Sequence, residues 1–342
     1  MKPFVIAEQN IQAGERKRVN LFVARLYDAT EMSIPVEIIR GKNDGPTLFI
    51  SGAIHGNEIN GVEIVRLVSQ QKELADLYGT LILIPIVNIF GFNNKTRYLP
   101  DNRDLNRCFP GFEGGSLASR MAHQFHTEIL TKCDFGIDLH TGGNHRYNLP
   151  QIRTEIANPK NLELAKSFDV SAIINSSVRD GSLRQAAADL GIPCLLYEGG
   201  EALRFNPEAI QIGVRGIFSF MKAIGMLDSV EEQMQKTREQ YVAKSSYWLR
   251  APTSGILHTR RRVGEFVKEF DLLATITDPF GERLSEVVAS RDGVIIGMTT
   301  LPLVTNGDAT FHIGVSDGSV PADVIEFSHE LSGNDVFDPL IE

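Results

Sequence analysis

The sequence predicts an α/β protein. A mixed, largely parallel sheet flanked by helices occupies residues 1–226. A connecting segment, 227–244, leads to a smaller all-β domain, 245–342. Three observations carry this. From Pro46 to about Met226 short apolar runs alternate with amphipathic stretches at helical spacing. Polar and charged residues dominate from Leu227. Beyond Tyr247 the chain breaks into short β segments punctuated by glycine.

Residues 1–45 alternate apolar and polar, as in Lys17-Arg-Val-Asn-Leu-Phe-Val-Ala24 and Ile34-Pro-Val-Glu-Ile-Ile-Arg40, which predicts antiparallel strands at a sheet edge. Pro46-Thr-Leu-Phe-Ile-Ser51 is a buried strand. Asn60 to Tyr78 carries Val62, Val65, Leu67, Val68, Leu74 and Leu77 at helical spacing and is stopped by Gly79. Strands follow at 80–88, 135–140, 172–175 and 192–198, with helices at 115–131, 159–168, 183–190 and 206–226. In the last part, Ser254-Gly-Ile-Leu257 and Asp292-Gly-Val-Ile295 form a weak internal duplication. This part resembles a biotinyl/lipoyl-type barrel-sandwich domain. Its expected hairpin, Asp278-Pro-Phe-Gly281, has no lysine, so a shielding or oligomerising role is expected rather than covalent cofactor carriage.

The chemistry begins at His55-Gly-Asn-Glu58 and Asp138-Leu-His140-Thr141. Both histidines lie at or just past the C-terminal ends of predicted strands, where ligand sites of open α/β sheets collect. A turn starting at His55 brings residue 58 back to the same side. His55, Glu58 and His140 then form the two-imidazole, one-carboxylate set of a catalytic zinc site, with the fourth position left to water. H-x-x-E alone is common; the second strand-end histidine makes the pattern specific.

The 342 residues carry a net charge of −9, which leaves no basic surplus for phosphate neutralisation and argues against nucleic acid as a partner. Cys108, Cys133 and Cys194 are sparse and lack metal-like spacing, as expected of reduced thiols. The first residues, Met1 to Glu8, hold no apolar stretch long enough for a signal peptide, and no run of about 18 apolar residues occurs, so neither an export signal nor a membrane span is expected. A cytoplasmic location without membrane contact is expected.

A zinc hydrolase also needs a base and cations. Glu198, in Leu195-Leu-Tyr-Glu-Gly-Gly200, ends a buried apolar strand and is the candidate base; the alternative is a structural ion pair with an arginine. Arg97, Arg103 and Arg107 share one loop, and their guanidinium forks suit carboxylate recognition.

His55-Gly-Asn-Glu58, Asp104-Leu-Asn-Arg107, Asp138-Leu-His140 and Tyr197-Glu198-Gly199, in this order, resemble the succinylglutamate desuccinylase/aspartoacylase family. The resemblance covers nearly the whole chain and implies a zinc carboxypeptidase-like fold with one zinc ion per chain. It implies that His55, Glu58 and His140 bind the metal and that Glu198 is the base. Arg97 would polarise the carbonyl, although its spacing to Asp104-Leu-Asn-Arg107 differs slightly from the aspartoacylase pattern. Asn106 and Arg107 would hold a substrate carboxylate, and Arg184, on a looser match, is a further substrate arginine. The expected activity is hydrolysis of an N-acyl amino acid or related small anionic amide, with a homo-oligomer an open possibility. The alternatives are a metallocarboxypeptidase acting on peptides and a non-catalytic binding protein of the same fold.

Overall fold

The computed structural model describes residues 4–228 and 240–316. Its centre is a 13-stranded mixed sheet. Four strands at its middle run parallel, in the order Cys194–Glu201, Phe135–Gly142, Asn43–Gly52, Tyr78–Ile84. Their side chains alternate between two apolar cores. Leu48, Ile50, Leu81, Leu83, Ile137 and Leu139 enter one, while Phe49, Ile82 and Ile84 enter the other. Burial on both faces is what parallel strands covered by crossover helices require. Asn60–Ser69 and Pro207–Ala223 pack against the first core, and Leu117–Glu128 and Leu183–Asp189 against the second.

Away from this centre, among the described residues, parallel pairing recurs only where Ala172–Asn175 joins Arg146–Thr154 and Tyr241–Ala243. Glu31–Arg40 and Arg16–Arg25 join antiparallel on one side, because the short connection 26–30 permits a hairpin but no crossover. On the other side Arg146–Thr154, Gly293–Thr299, Ala309–Val315 and Ser245–Arg250 follow in antiparallel order. The helix expected over 60–78 stops at Ser69, and a 3₁₀ turn, Lys72–Asp76, leads into the next strand.

Between 241 and 315 every regular element is a strand. Some of these strands extend the main sheet, and the joint is the pairing of Gly297 with Asn148. A Cβ at position 297 would come within 2.5 Å of Asn148 Oδ1, so glycine permits this close approach. Arg283–Val288, Leu272–Thr277, Gly255–Thr259 and Leu303–Val304 form a separate four-stranded sheet. Residues 229–239 of the expected connecting segment, and residues 317–342 of the expected β domain, lie outside the described residues. The end of that connecting segment, Tyr241–Ala243, is itself a strand, parallel to Ala172–Asn175. No helix among the described residues is long and apolar enough to cross a membrane.

Candidate active site

The site lies at the C-terminal ends of the central parallel strands. His55 follows Asn43–Gly52 after a tight turn in which Ala53 takes a left-handed φ of 48°. Gly56 packs on the backbone of Gly91, and a Cβ there would approach Gly91 C to 1.9 Å, which accounts for the glycine in His55-Gly-Asn-Glu58. His140 sits within Phe135–Gly142, and Glu198 is its register partner on the next strand.

Glu58 joins the two histidines. Its Oε1 lies 2.8 Å from His55 Nδ1 and its Oε2 lies 2.8 Å from His140 Nδ1. The opposite ring nitrogens meet carboxylates: His140 Nε2 is 2.8 Å from Asp138 Oδ2, and His55 Nε2 is 3.2 Å from Asp104 Oδ1. Ser51 Oγ donates to Asp138 Oδ1 at 2.8 Å, from the register-paired position on the adjacent strand. Asp138 and His140 share a strand face because side chains alternate with period two.

Burial by itself would raise the Glu58 pKa, but the charges and hydrogen bonds of His55 and His140 outweigh it and hold the carboxyl below its usual range. Burial would likewise lower the His140 pKa, yet Asp138 and Glu58 hold it well above the ordinary histidine value. Asp104 also stays ionised: desolvation opposes this, and His55 and Arg97 overcome it. His55, Glu58 and His140 are all buried, with one donor atom each within 4.8 Å of the others. Two imidazoles and a carboxylate, each imidazole backed by a second carboxylate that orients the ring, are a donor set suited to a zinc-like divalent cation.

The remaining predicted residues fall around one cavity of about 420 Å³. Arg97 donates to Asp104 Oδ2 at 2.9 Å and Glu58 Oε1 at 3.2 Å. Asn106 lines the cavity, but its Oδ1 accepts from the Leu183 N–H at 2.8 Å, tying the loop to the helix Leu183–Asp189. Arg107 is exposed at the cavity edge. Arg184 also reaches the cavity wall, yet its guanidinium donates to the carbonyls of Arg153, Ser176 and Ser177, at 2.9, 3.1 and 2.6 Å. These bonds fix its position in the cavity wall. Glu198 faces the cavity and forms an ion pair with Arg153. Cys108 does not line the cavity; its thiol donates to the Asp104 carbonyl.

Several participants carried no signal strong enough to be singled out in sequence. Asp104 and Asp138 lie inside the recognised motifs, and strand alternation would have put Asp138 beside His140. Arg153, Trp248 and His312 belong to no motif. Trp248 and His312 come from Ser245–Arg250 and Ala309–Val315, and stack with ring centroids 4.3 Å apart at 9°. The Arg146 guanidinium lies over Trp248 at 5.3 Å from the ring centre. Asn60 and Asn206 form a clasp that was equally hidden. Asn60 Nδ2 donates to Gly199 O and Asn206 Oδ1, and the Asn206 N–H donates back to Asn60 Oδ1. The clasp fixes the segment after Glu58 against the end of the Glu198 strand.

The model of the succinylglutamate desuccinylase/aspartoacylase catalytic domain matches residues 44–224. The N-alpha-acetyl-L-2,4-diaminobutyric acid deacetylase of Halomonas elongata is 26% identical over 296 residues, covering 80% of this chain and 83% of that protein. Among solved structures, the product-bound ectoine utilization protein EutE (DoeB) from Ruegeria pomeroyi superposes with a TM-score of 0.80 at 22% identity. That match covers 92% of this chain and 99% of that one. A succinylglutamate desuccinylase/aspartoacylase from Rhodobacter sphaeroides gives 0.75 at 24% identity, covering 87% and 96%. The shared catalytic-domain match, spanning the strands that carry His55, His140 and Glu198, means that this chain belongs to the succinylglutamate desuccinylase/aspartoacylase family.

Proposed function

We propose that the protein is a zinc-dependent deacylase that hydrolyses the amide bond of an N-acyl amino acid. The observation that carries this reading is the convergence of His55 Nδ1, His140 Nδ1 and the Glu58 carboxylate, each histidine oriented from behind by a carboxylate. His55, Glu58 and His140 would hold the metal. Zinc bound there supplies a Lewis acid that lowers the pKa of water toward about 7 and polarises a carbonyl.

The chain's own residues do the rest. Glu198, beside His140 and facing the cavity, takes the proton of the attacking water and returns it to the leaving amine. Arg97, anchored by Asp104, presents a fixed cation to the developing oxyanion. Arg107 meets a substrate carboxylate at the cavity edge, with Asn106 shaping the loop that presents it. Trp248, Arg250 and His312 close one side of the cavity. We read the described residues 245–316 as a barrel-sandwich-like domain whose contribution is this wall. A cavity of about 420 Å³ suits a small acylated amino acid better than an extended peptide.

The test is hydrolysis of a panel of N-acyl amino acids by the full chain, before and after chelation and zinc restoration, alongside metal content. Chelator-sensitive, zinc-restored release of a free amino acid is expected. Hydrolysis indifferent to metal, or cleavage of peptides in preference to N-acyl amino acids, overturns the reading.

A further inference from the structure

Just past Glu198 the strand shifts register on both sides, against Phe135–Gly142 between Glu198 and Glu201 and against Arg146–Thr154 between Glu198 and Gly200. Two asparagines brace the backbone there. Asn60 Nδ2 donates to Gly199 O at 3.1 Å and to Asn206 Oδ1 at 3.0 Å. The Glu201 N–H donates to Asn206 Oδ1 at 2.9 Å, and the Asn206 N–H donates to Asn60 Oδ1 at 3.0 Å. Gly200 fits against this clasp with a left-handed φ of 80°. A Cβ there would come within 2.3 Å of Asn206 Oδ1 and 2.4 Å of Asn60 Nδ2.

We propose that Asn60 and Asn206 are positioning residues for hydrolysis. Together they set where the backbone carrying Glu198 sits relative to His55, Glu58 and His140, and so how well Glu198 is aimed at the attacking water. Neither asparagine lines the cavity, so both act through the strand they hold. This rests on the deacylase reading and on Glu198 as its base.

Three observations support this role. First, Asn206 is the N-cap of Pro207–Ala223, yet its side chain makes no capping bond. An asparagine in that place ordinarily accepts from the second or third helical N–H and stabilises the helix. This one commits its Oδ1 to Glu201 and Asn60 instead, so the strand end takes what the helix would use. Second, the path from a predicted metal ligand to the predicted base is short. Asn60 lies two residues after Glu58, is 1% exposed, and bonds to the carbonyl of the residue next to Glu198. The Leu203 N–H adds a parallel strut by donating to Asn57 O at 2.8 Å, inside the same motif. Third, the clasp stands on a rigid base. Asn60–Ser69 and Pro207–Ala223 pack closely, and a Cβ at Gly213 would come within 2.6 Å of Ile64 Cδ1. Both donors and the acceptor of the Asn60 amide are used, which fixes its orientation.

The experiment is steady-state hydrolysis of N-acyl amino acids by the zinc-supplemented full chain carrying Asn206→Ser or Asn206→Asp, with hydrogen exchange of the same proteins read by mass spectrometry. Serine caps a helix as well as asparagine does but is too short to reach Glu201 and Asn60 together. Asn206→Ser should therefore keep the wild-type exchange in Pro207–Ala223 and exchange faster around residues 199–203. Its kcat should fall by about 10- to 100-fold with KM within about twofold of the wild type. Aspartate keeps an acceptor oxygen at the same reach, so Asn206→Asp should recover most of kcat and the slow exchange. Undiminished kcat in Asn206→Ser, a loss carried by KM, faster exchange throughout the chain, or an Asn206→Asp as impaired as the serine variant overturns the proposal. A wild type that hydrolyses no N-acyl amino acid removes the deacylase reading and the proposal with it. An active wild type beside an undiminished Asn206→Ser removes the role of the clasp alone.

Discussion

The two walls of the cavity differ in how completely their polar atoms are satisfied. On the wall formed by His55, Glu58 and His140, both histidines use both ring nitrogens, Glu58 uses both oxygens, and Asp138 accepts from Ser51 as well as His140. On the wall toward the C-terminal strands, Arg153 and Glu198 hold only each other, and His312 Nδ1 holds nothing among the described residues. A closed network resists rearrangement, because moving one member strands another in a poorly solvated place. An open one can change partners at little cost. The comparison assigns rigidity to the groups that would grip a metal and exchangeability to the groups that would meet substrate.

The sharpest way to break the comparison is Glu198→Gln. If the two walls are independent, turnover falls by about 10²- to 10⁴-fold while metal content stays that of the wild type. Loss of metal in this variant, measured by elemental analysis, would show that the walls are one network. Asp138→Asn probes the other wall with a smaller effect. The carboxylate that orients His140 through Nε2 is lost, while Ser51 and the strand geometry remain. Zinc affinity should weaken by about 10- to 100-fold, read by competition with a chromophoric chelator. Unchanged affinity would mean that strand geometry alone sets the ring.

The same division decides what could be read from sequence. The convergence of His55, Glu58 and His140 was legible because these residues sit at strand ends within short motifs, where local spacing dictates spatial neighbours. Arg153, Trp248 and His312 were not, because they converge only through antiparallel pairing of Arg146–Thr154 and Ser245–Arg250 with strands far off in sequence. No local pattern marks such a register. The α/β alternation was visible from periodicity, but the antiparallel flanks depend on which edge each strand joins. Glu198 shows the limit within one residue: its place at a buried strand end was foreseeable, and an arginine partner was weighed, but sequence could not say that the partner is Arg153. Arg184 was reached only through a loose family match, and a helical arginine carries no sign in sequence of the three carbonyls it will meet.

His312 offers the mildest test, through pH. Burial, reinforced by the charge of Arg153, pushes its pKa from 6.5 down to about 3. Between those values the unfolded chain binds a proton that the folded chain refuses. Its contribution to stability is therefore complete above pH 6.5 and is lost as pH falls toward 3. His140 is shifted the opposite way, but it is present in both proteins compared and cancels in the difference. His312→Phe keeps a ring against Trp248 and removes the titration. Over the step from about pH 6 to about pH 5, urea unfolding should show the wild type losing about 1 kcal/mol more than the variant. Equal losses would mean that folded His312 takes up a proton readily. Its Nδ1 would then carry an N–H at low pH, and the unpartnered atom that sets this wall apart would not stay an acceptor.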